Sequence, residues 1–390
     1  MRARAMRGVV AAALAVCLLA ACAPVTPAVT PSATRPPSSS TPSPTPTPPP
    51  DPAVEAVARM SVTEQAASVV MGHIPSTDPA ALRAYMQSAP QSARLGGFIL
   101  MGANIGADAA QVRTVTDALT LDAALPPLIA IDEEGGVVKR LPWDDLPGGR
   151  GLQAFDPAQT EQVFAQRAAL VAETGADVNF GIIADVPADA SSFIAPRALG
   201  TDPESASSRV TAAVDGEKHL VLSTLKHFPG HGAAPGDSHH SIPATSMTLQ
   251  QGRAGPARPF IAGIDAGAEL LMFGHLAYTA VDPDPASLST RWHEIARDEL
   301  GFDGVMITDD LGMLSGSGLA EYRDPVTNAV RALQAGNDMV LMIAGSKAET
   351  AAQLVTGIVS AVDDGRLSAV RLRDAAEHVM RLRMQVADAR

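Results

Sequence analysis

Apolar residues gather in eight runs: "ASVVMG" (67–72), "GGFILM" (96–101), "PLIAID" (127–132), "ADVNFGIIAD" (176–185), "VLSTLKHF" (221–228), "ELLMFGH" (269–275), "GVMITDD" (304–310) and "MVLMI" (339–343). Within each run the apolar content is nearly continuous rather than alternating. That is the pattern of strands covered on both faces, as in a parallel sheet. Between the runs lie longer alanine-rich stretches such as "DAAQVRTVTDALTLDAAL" and "PAQTEQVFAQRAALVAETG". These predict helices, the second closed by a glycine stop. Eight strand–helix repeats predict a single (β/α)8 barrel of the TIM type rather than an open doubly wound sheet. The 340 positions from 51 to 390 suit one such barrel.

The first 50 residues follow another pattern. Arg2, Arg4 and Arg7 precede the apolar run "GVVAAALAVCLLAAC", too short for a lasting membrane span and shaped like a signal peptide over residues 1–21. Its end, Leu19-Ala20-Ala21-Cys22, resembles the lipobox of bacterial lipoproteins, which implies lipidation of Cys22. Residues 22–50 then read as a disordered tether, because "TPAVTPSATRPPSSSTPSPTPTPPP" has too little apolar content to fold and too much proline to coil freely. These features predict an extracytoplasmic protein held to the outer face of the cell membrane. Cys17 and Cys22 are the only cysteines, so the body from 51 to 390 contains no disulfide. The net charge is −13, and the first 50 residues carry four arginines and no acid, which leaves the body at −17. An acidic body without a basic stripe argues against a nucleic-acid partner.

In a barrel of this type the chemistry sits where the strands end. Here "PLIAI" ends in Asp132, "GIIAD" at Asp185, "LSTL" at Lys226-His227, "LLMFG" at His275 and "GVMIT" at Asp309-Asp310. Aspartate is a good helix N-cap, so one such case carries little weight. Five on one predicted rim point to a site. Just past Lys226, the stretch "LKHFPGHGAAPGDSHHS" holds four of the nine histidines. A zinc-hydrolase reading fails, because Pro229, Gly230 and Gly232 interrupt the helix that a His227/His231 pair needs, and no glutamate adjoins His227. Proton transfer and ligand binding remain. Lys226 and His227 are placed as hydrogen-bond donors. Asp237 and His239 form an Asp-x-His pair in which the carboxylate orients the imidazole and stabilises its charged form.

"KHFPGHG" followed four residues later by "DSH", with "DEEGG" upstream and "GFDGVMITDDLGM" downstream, closely resembles glycoside hydrolase family 3. More narrowly, the chain is similar to the single-domain β-N-acetylglucosaminidases (β-hexosaminidases) of that family, from about Ser61 to Arg383. The resemblance implies a retaining mechanism through a covalent glycosyl-enzyme, with Asp309 as nucleophile, His239 as acid/base and Asp237 as its partner. It assigns sugar recognition to Asp132, Arg140, Arg197, Lys226 and His227, and it implies neither metal nor cofactor. Asp310 is the alternative nucleophile, otherwise a neighbour or cap of Asp309. His231 reads as a loop-structuring residue, His240 as exposed, and His275 as either site-lining or a polar rim residue. The glycines around His231 and Gly236 suggest a loop able to move.

The expected activity is exo-hydrolysis of terminal N-acetyl-β-D-glucosamine from peptidoglycan-derived glycans. Glucosidase-type or phosphorolytic activity on the same scaffold is the alternative. A surface lipoprotein that binds glycans without cleaving them is the reading from another class.

Overall fold

The computed structural model describes residues 51–390, so the signal-peptide, Cys22 and tether readings lie outside the described residues. Each of the eight apolar runs contains a strand: β1 Val70–Gly72, β2 Gly97–Leu100, β3 Leu128–Ile131, β4 Val178–Ile183, β5 Leu222–Phe228, β6 Leu270–Phe273, β7 Val305–Thr308 and β8 Val340–Leu341. They are parallel and neighbour one another in chain order, and β8 pairs back onto β1 with Val70 opposite Val340. The β7–β8 seam is held by a bridge between Ile307 and Met339 and by the Leu341 amide donating to Thr308 Oγ1 at 3.0 Å. The result is a single (β/α)8 TIM-type barrel.

Two apolar environments explain why the runs do not alternate. Along β6, Leu270 and Met272 pack into the barrel interior, whereas Leu271 and Phe273 pack outward against helices. In β3 the interior residues are Leu128 and Ala130, and the outward ones are Ile129 and Ile131. Both faces of each strand are dry, so both must be apolar. The last helix, Ala369–Ala389, contributes Val379, Leu382 and Val386 to the interior cluster and so covers the barrel's base. Buried Arg383 fastens it there, donating to the carbonyls of Pro126 at 2.8 Å and Leu125 at 2.9 Å, just before β3. Among the described residues, no helix is long and apolar enough to cross a membrane.

Five helices begin with the same local signal. Asp51, Asp78, Asp156, Asp202 and Asp324 each cap a helix whose first residue is proline. The carboxylate accepts a free backbone N–H, and proline gives up a hydrogen bond the helix does not need there.

Candidate active site

Strand parity decides which polar residues face the barrel mouth, because alternate side chains share a face. Leu128 and Ala130 point inward, so Asp132 continues their line. Val305 and Ile307 do the same for Asp309. Asp310 falls on the other parity and turns away. Its carboxylate accepts from the amides of Gly312, Ile343 and Ala344 at 2.9, 2.7 and 2.9 Å, capping the next helix and tying it to the end of β8.

Two register shifts bring in residues that parity alone would send outward. In β5 the register changes between Leu225 and Phe228, both of which pack outward, and this leaves Lys226 and His227 together on the mouth side. The Lys226–His227 and Phe228–Pro229 peptide bonds are both cis. In β4 the shift lies between Asn179 and Ile182. Ile182 and Ala184 therefore face outward, and Asp185 faces in.

The mouth is wired by charge. Lys226 Nζ lies 2.8 Å from Asp132 Oδ1 and 2.8 Å from Glu134 Oε1. Arg140 holds the other oxygen of Asp132 at 3.0 Å, and Arg197 grips Glu134 with two bonds of 2.7 and 2.9 Å. Asp185 accepts from the His227 amide at 3.1 Å, from His227 Nδ1 at 2.7 Å and from the His231 amide at 2.6 Å. The turn that delivers Glu134 passes through Gly135 at φ 77°, and a Cβ there would lie 2.2 Å from Arg167 Nη2. Only glycine fits both the angle and the space.

The same groups set the protonation states. Burial pushes the Asp132 carboxyl up, but the charges of Lys226 and Arg140 outweigh it and hold Asp132 well below the usual range. Glu134 is lowered in the same way, its burial outweighed by Lys226 and Arg197. Asp309 is also lowered on balance. Burial raises it, while the nearby His227 and His275 rings, the Asp310 amide and the Lys226 charge bring it down. Burial drives the His227 imidazole far below its ordinary value, while the nearby Asp309 charge acts in the opposite direction. The Asp310 carboxyl is pushed up to about 6, chiefly by burial.

Asp237 and His239 stand on a different footing. His239 Nδ1 is 2.6 Å from Asp237 Oδ1, so the expected pair forms. Yet these side chains are 56% and 37% exposed, against 4% and 3% for Lys226 and Glu134. His240 is exposed, and His231 is buried. His275 is fully buried, bonded to Ser287 Oγ at 2.7 Å and to the Asp310 carbonyl at 2.9 Å, so it holds the backbone just after Asp309.

Sequence reasoning placed Asp185 on the rim without its bonds to His227 and His231, and it missed Glu134, which follows two positions after Asp132 and pairs with Lys226 and Arg197. One further carboxylate–imidazole cluster, Asp338, Asp374 and His378, forms near the start of β8. Arg297 and Arg371 already pair with Asp338 at 2.6 and 2.8 Å, which makes it an ion-pair network. A cavity of about 880 Å³ opens where the strands begin, lined by Asp177, Lys218, Glu269 and Arg390, and none of the rim residues borders it.

Paired charges that still present hydrogen-bonding edges suit a ligand dense in hydroxyls, and a lowered aspartate at the centre suits attack on an acetal carbon. Fold and site together define a glycoside hydrolase. Residues 64–382 match the family described as "Glycosyl hydrolase family 3 N terminal domain", and the chain belongs to glycoside hydrolase family 3. A "Beta-hexosaminidase" of Stenotrophomonas maltophilia (strain R551-3) is 34% identical over 312 residues, covering 73% of this chain and 91% of that protein. The crystal structure of a "Beta-N-acetylhexosaminidase" from Beutenbergia cavernae DSM 12333 has a TM-score of 0.73 at 29% identity, over 84% of this chain and 99% of that one. A family 3 β-N-acetylglucosaminidase from Paenibacillus sp. str. FPU-7 gives a TM-score of 0.77 at 28% identity over 84% of this chain, which spans 63% of that longer protein.

Proposed function

We propose that this glycoside hydrolase is a retaining exo-β-N-acetylglucosaminidase that removes terminal N-acetyl-β-D-glucosamine from peptidoglycan-derived glycans. The observation that carries the reading is Asp309 at the end of β7, in line with the interior residues Val305 and Ile307, in a chain whose Asp237–His239 pair sits on the loop following β5. The names of the relatives support the substrate class.

Asp309 Oδ1 is engaged by the Asp310 amide at 2.8 Å, which leaves Oδ2 to attack the anomeric carbon. As that bond forms, the bond to the leaving oxygen breaks, and His239 gives that oxygen its proton. Asp237 stabilises the imidazolium through Nδ1 before transfer. In the second half, neutral His239 takes a proton from water. The hydroxide attacks the glycosyl ester, the sugar leaves with β configuration, and Asp309 is regenerated. Asp132, Arg140, Arg197, Lys226 and His227 hold the sugar hydroxyls, so binding energy away from the reacting carbon supports the transition state.

The lipobox at Cys22 and the proline-rich tether support a lipid-anchored enzyme outside the cytoplasmic membrane, where such glycans occur. The test is hydrolysis of 4-nitrophenyl N-acetyl-β-D-glucosaminide by the full chain, with and without phosphate, beside Asp309→Asn. The expected outcome is turnover unaffected by phosphate and reduced about 10⁴-fold or more in Asp309→Asn. Turnover that rises with phosphate would indicate a phosphorylase. A folded protein that turns over neither this substrate nor the glucoside would be a glycan binder.

A further inference from the structure

We propose that Phe193 is a positioning residue for His239: an aromatic seat, supplied by the loop after β4, that holds the acid/base imidazole in register with the barrel mouth. The proposal rests on the reading of His239 as acid/base. It concerns a residue outside the motifs that carry the family resemblance.

The Phe193 ring meets two imidazoles of the loop after β5. It stands edge-on to His231, with centroids 4.7 Å apart and an interplanar angle of 66°, and edge-on to His239 at 6.4 Å and 84°. The guanidinium carbon of Arg197 lies 6.0 Å from the same ring centroid. One ring therefore links the buried root of the loop, its exposed imidazole and the cation clamped by Glu134.

His239 depends on such a contact. Its amide and its Nδ1 are both bonded to Asp237 Oδ1, at 3.0 and 2.6 Å. Asp237 travels on the same loop, so those bonds fix the orientation of the imidazole on the loop and leave the loop's place over the mouth undetermined. Phe193 supplies a contact from outside. His231 shows the same reliance on packing, because it is buried with neither ring nitrogen hydrogen-bonded. Its amide is held by Asp185 at 2.6 Å, and its ring sits between Phe193 and His227, whose centroid is 5.9 Å away. Aromatic edges thus continue the wiring of the rim into the loop.

A seat for the proton donor matters most when the leaving group needs the proton. The experiment compares kcat/KM of wild type, Phe193→Ala and Phe193→Tyr on chitobiose and on 2,4-dinitrophenyl N-acetyl-β-D-glucosaminide, whose leaving group departs without protonation. Phe193→Ala is expected to lose about tenfold or more on chitobiose and less than about threefold on the dinitrophenyl substrate. Phe193→Tyr, which keeps the ring, is expected to restore the chitobiose rate. Equal losses on both substrates would overturn the proposal, since they would mark Phe193 as a purely structural or sugar-binding residue. Unchanged rates on both would also overturn it. Phe193→Leu replaces the alanine variant if thermal melting shows that the latter does not fold, with the same expectations. Wild-type inactivity on both substrates would instead sink the β-N-acetylglucosaminidase reading on which the proposal depends.

Discussion

The rim of the barrel and the loop that carries His239 solve opposite problems with the same residue types. On the rim, Asp132, Glu134, Lys226 and Arg197 are nearly sealed from water, and each carboxylate is bonded to two cations. On the loop, Asp237 and His239 share one short bond and are open to solvent. Buried charges must be paired, because an orphan pays the full desolvation cost. Exposed pairs are screened and contribute little stability. The rim is therefore scaffold as well as the proposed sugar-binding surface, whereas the loop pair adds little to the fold and is left free for the chemistry proposed for it. A proton donor gains from this arrangement, since it must meet a leaving group that enters and departs.

The contrast makes a sharp prediction for the loop. His239→Ala should lower kcat/KM on chitobiose about 10²–10⁴-fold, the usual scale of general acid catalysis. Its unfolding free energy should stay within about 0.5 kcal/mol of wild type, as for other exposed substitutions. Denaturant titration beside the kinetics checks both, and substantial destabilisation would show that the loop pair also holds the fold.

Lys226→Ala tests the other side. It leaves Asp132 and Glu134 with one arginine each inside the mouth, so stability should fall by about 3 kcal/mol in the same titration. A loss as small as that of His239→Ala would erase the distinction between the two regions.

A pH-dependent effect lies beneath the rim. Buried Glu217 accepts from Asn179 Nδ2 at 2.7 Å, and that side-chain amide also donates to the Glu133 carbonyl, just below Glu134. Burial raises the Glu217 carboxyl from 4.5 to about 8. Between those values the folded protein binds a proton that the unfolded chain does not, so stability falls as pH rises. The stabilisation is complete below 4.5 and gone above about 8. Glu217→Gln should flatten that decline by up to about 1.4 kcal/mol per pH unit, read from denaturation midpoints at pH 5, 6.5 and 8. An unchanged slope would mean that Glu217 ionises freely and that the rim rests on a softer base.

What could be read along the chain was whatever depends on local order. Two dry faces force continuous apolar runs, so the eight strands were visible in sequence. The period of two places Asp132 and Asp309 in line with interior residues, and a carboxylate two positions before an imidazole reaches it without help from the fold. The rest required strands to be set side by side. His227 faces the mouth because the β5 register slips against β6. Glu134 meets Arg197 across 63 positions, and Asp185 meets His227 across 42. Whether Phe193 touches His239 depends on how two loops from adjacent strands descend onto the same rim. Hydrophobic period is a property of neighbours in sequence. Charge pairing and ring packing are properties of neighbours in space, and only the closed barrel decides which those are.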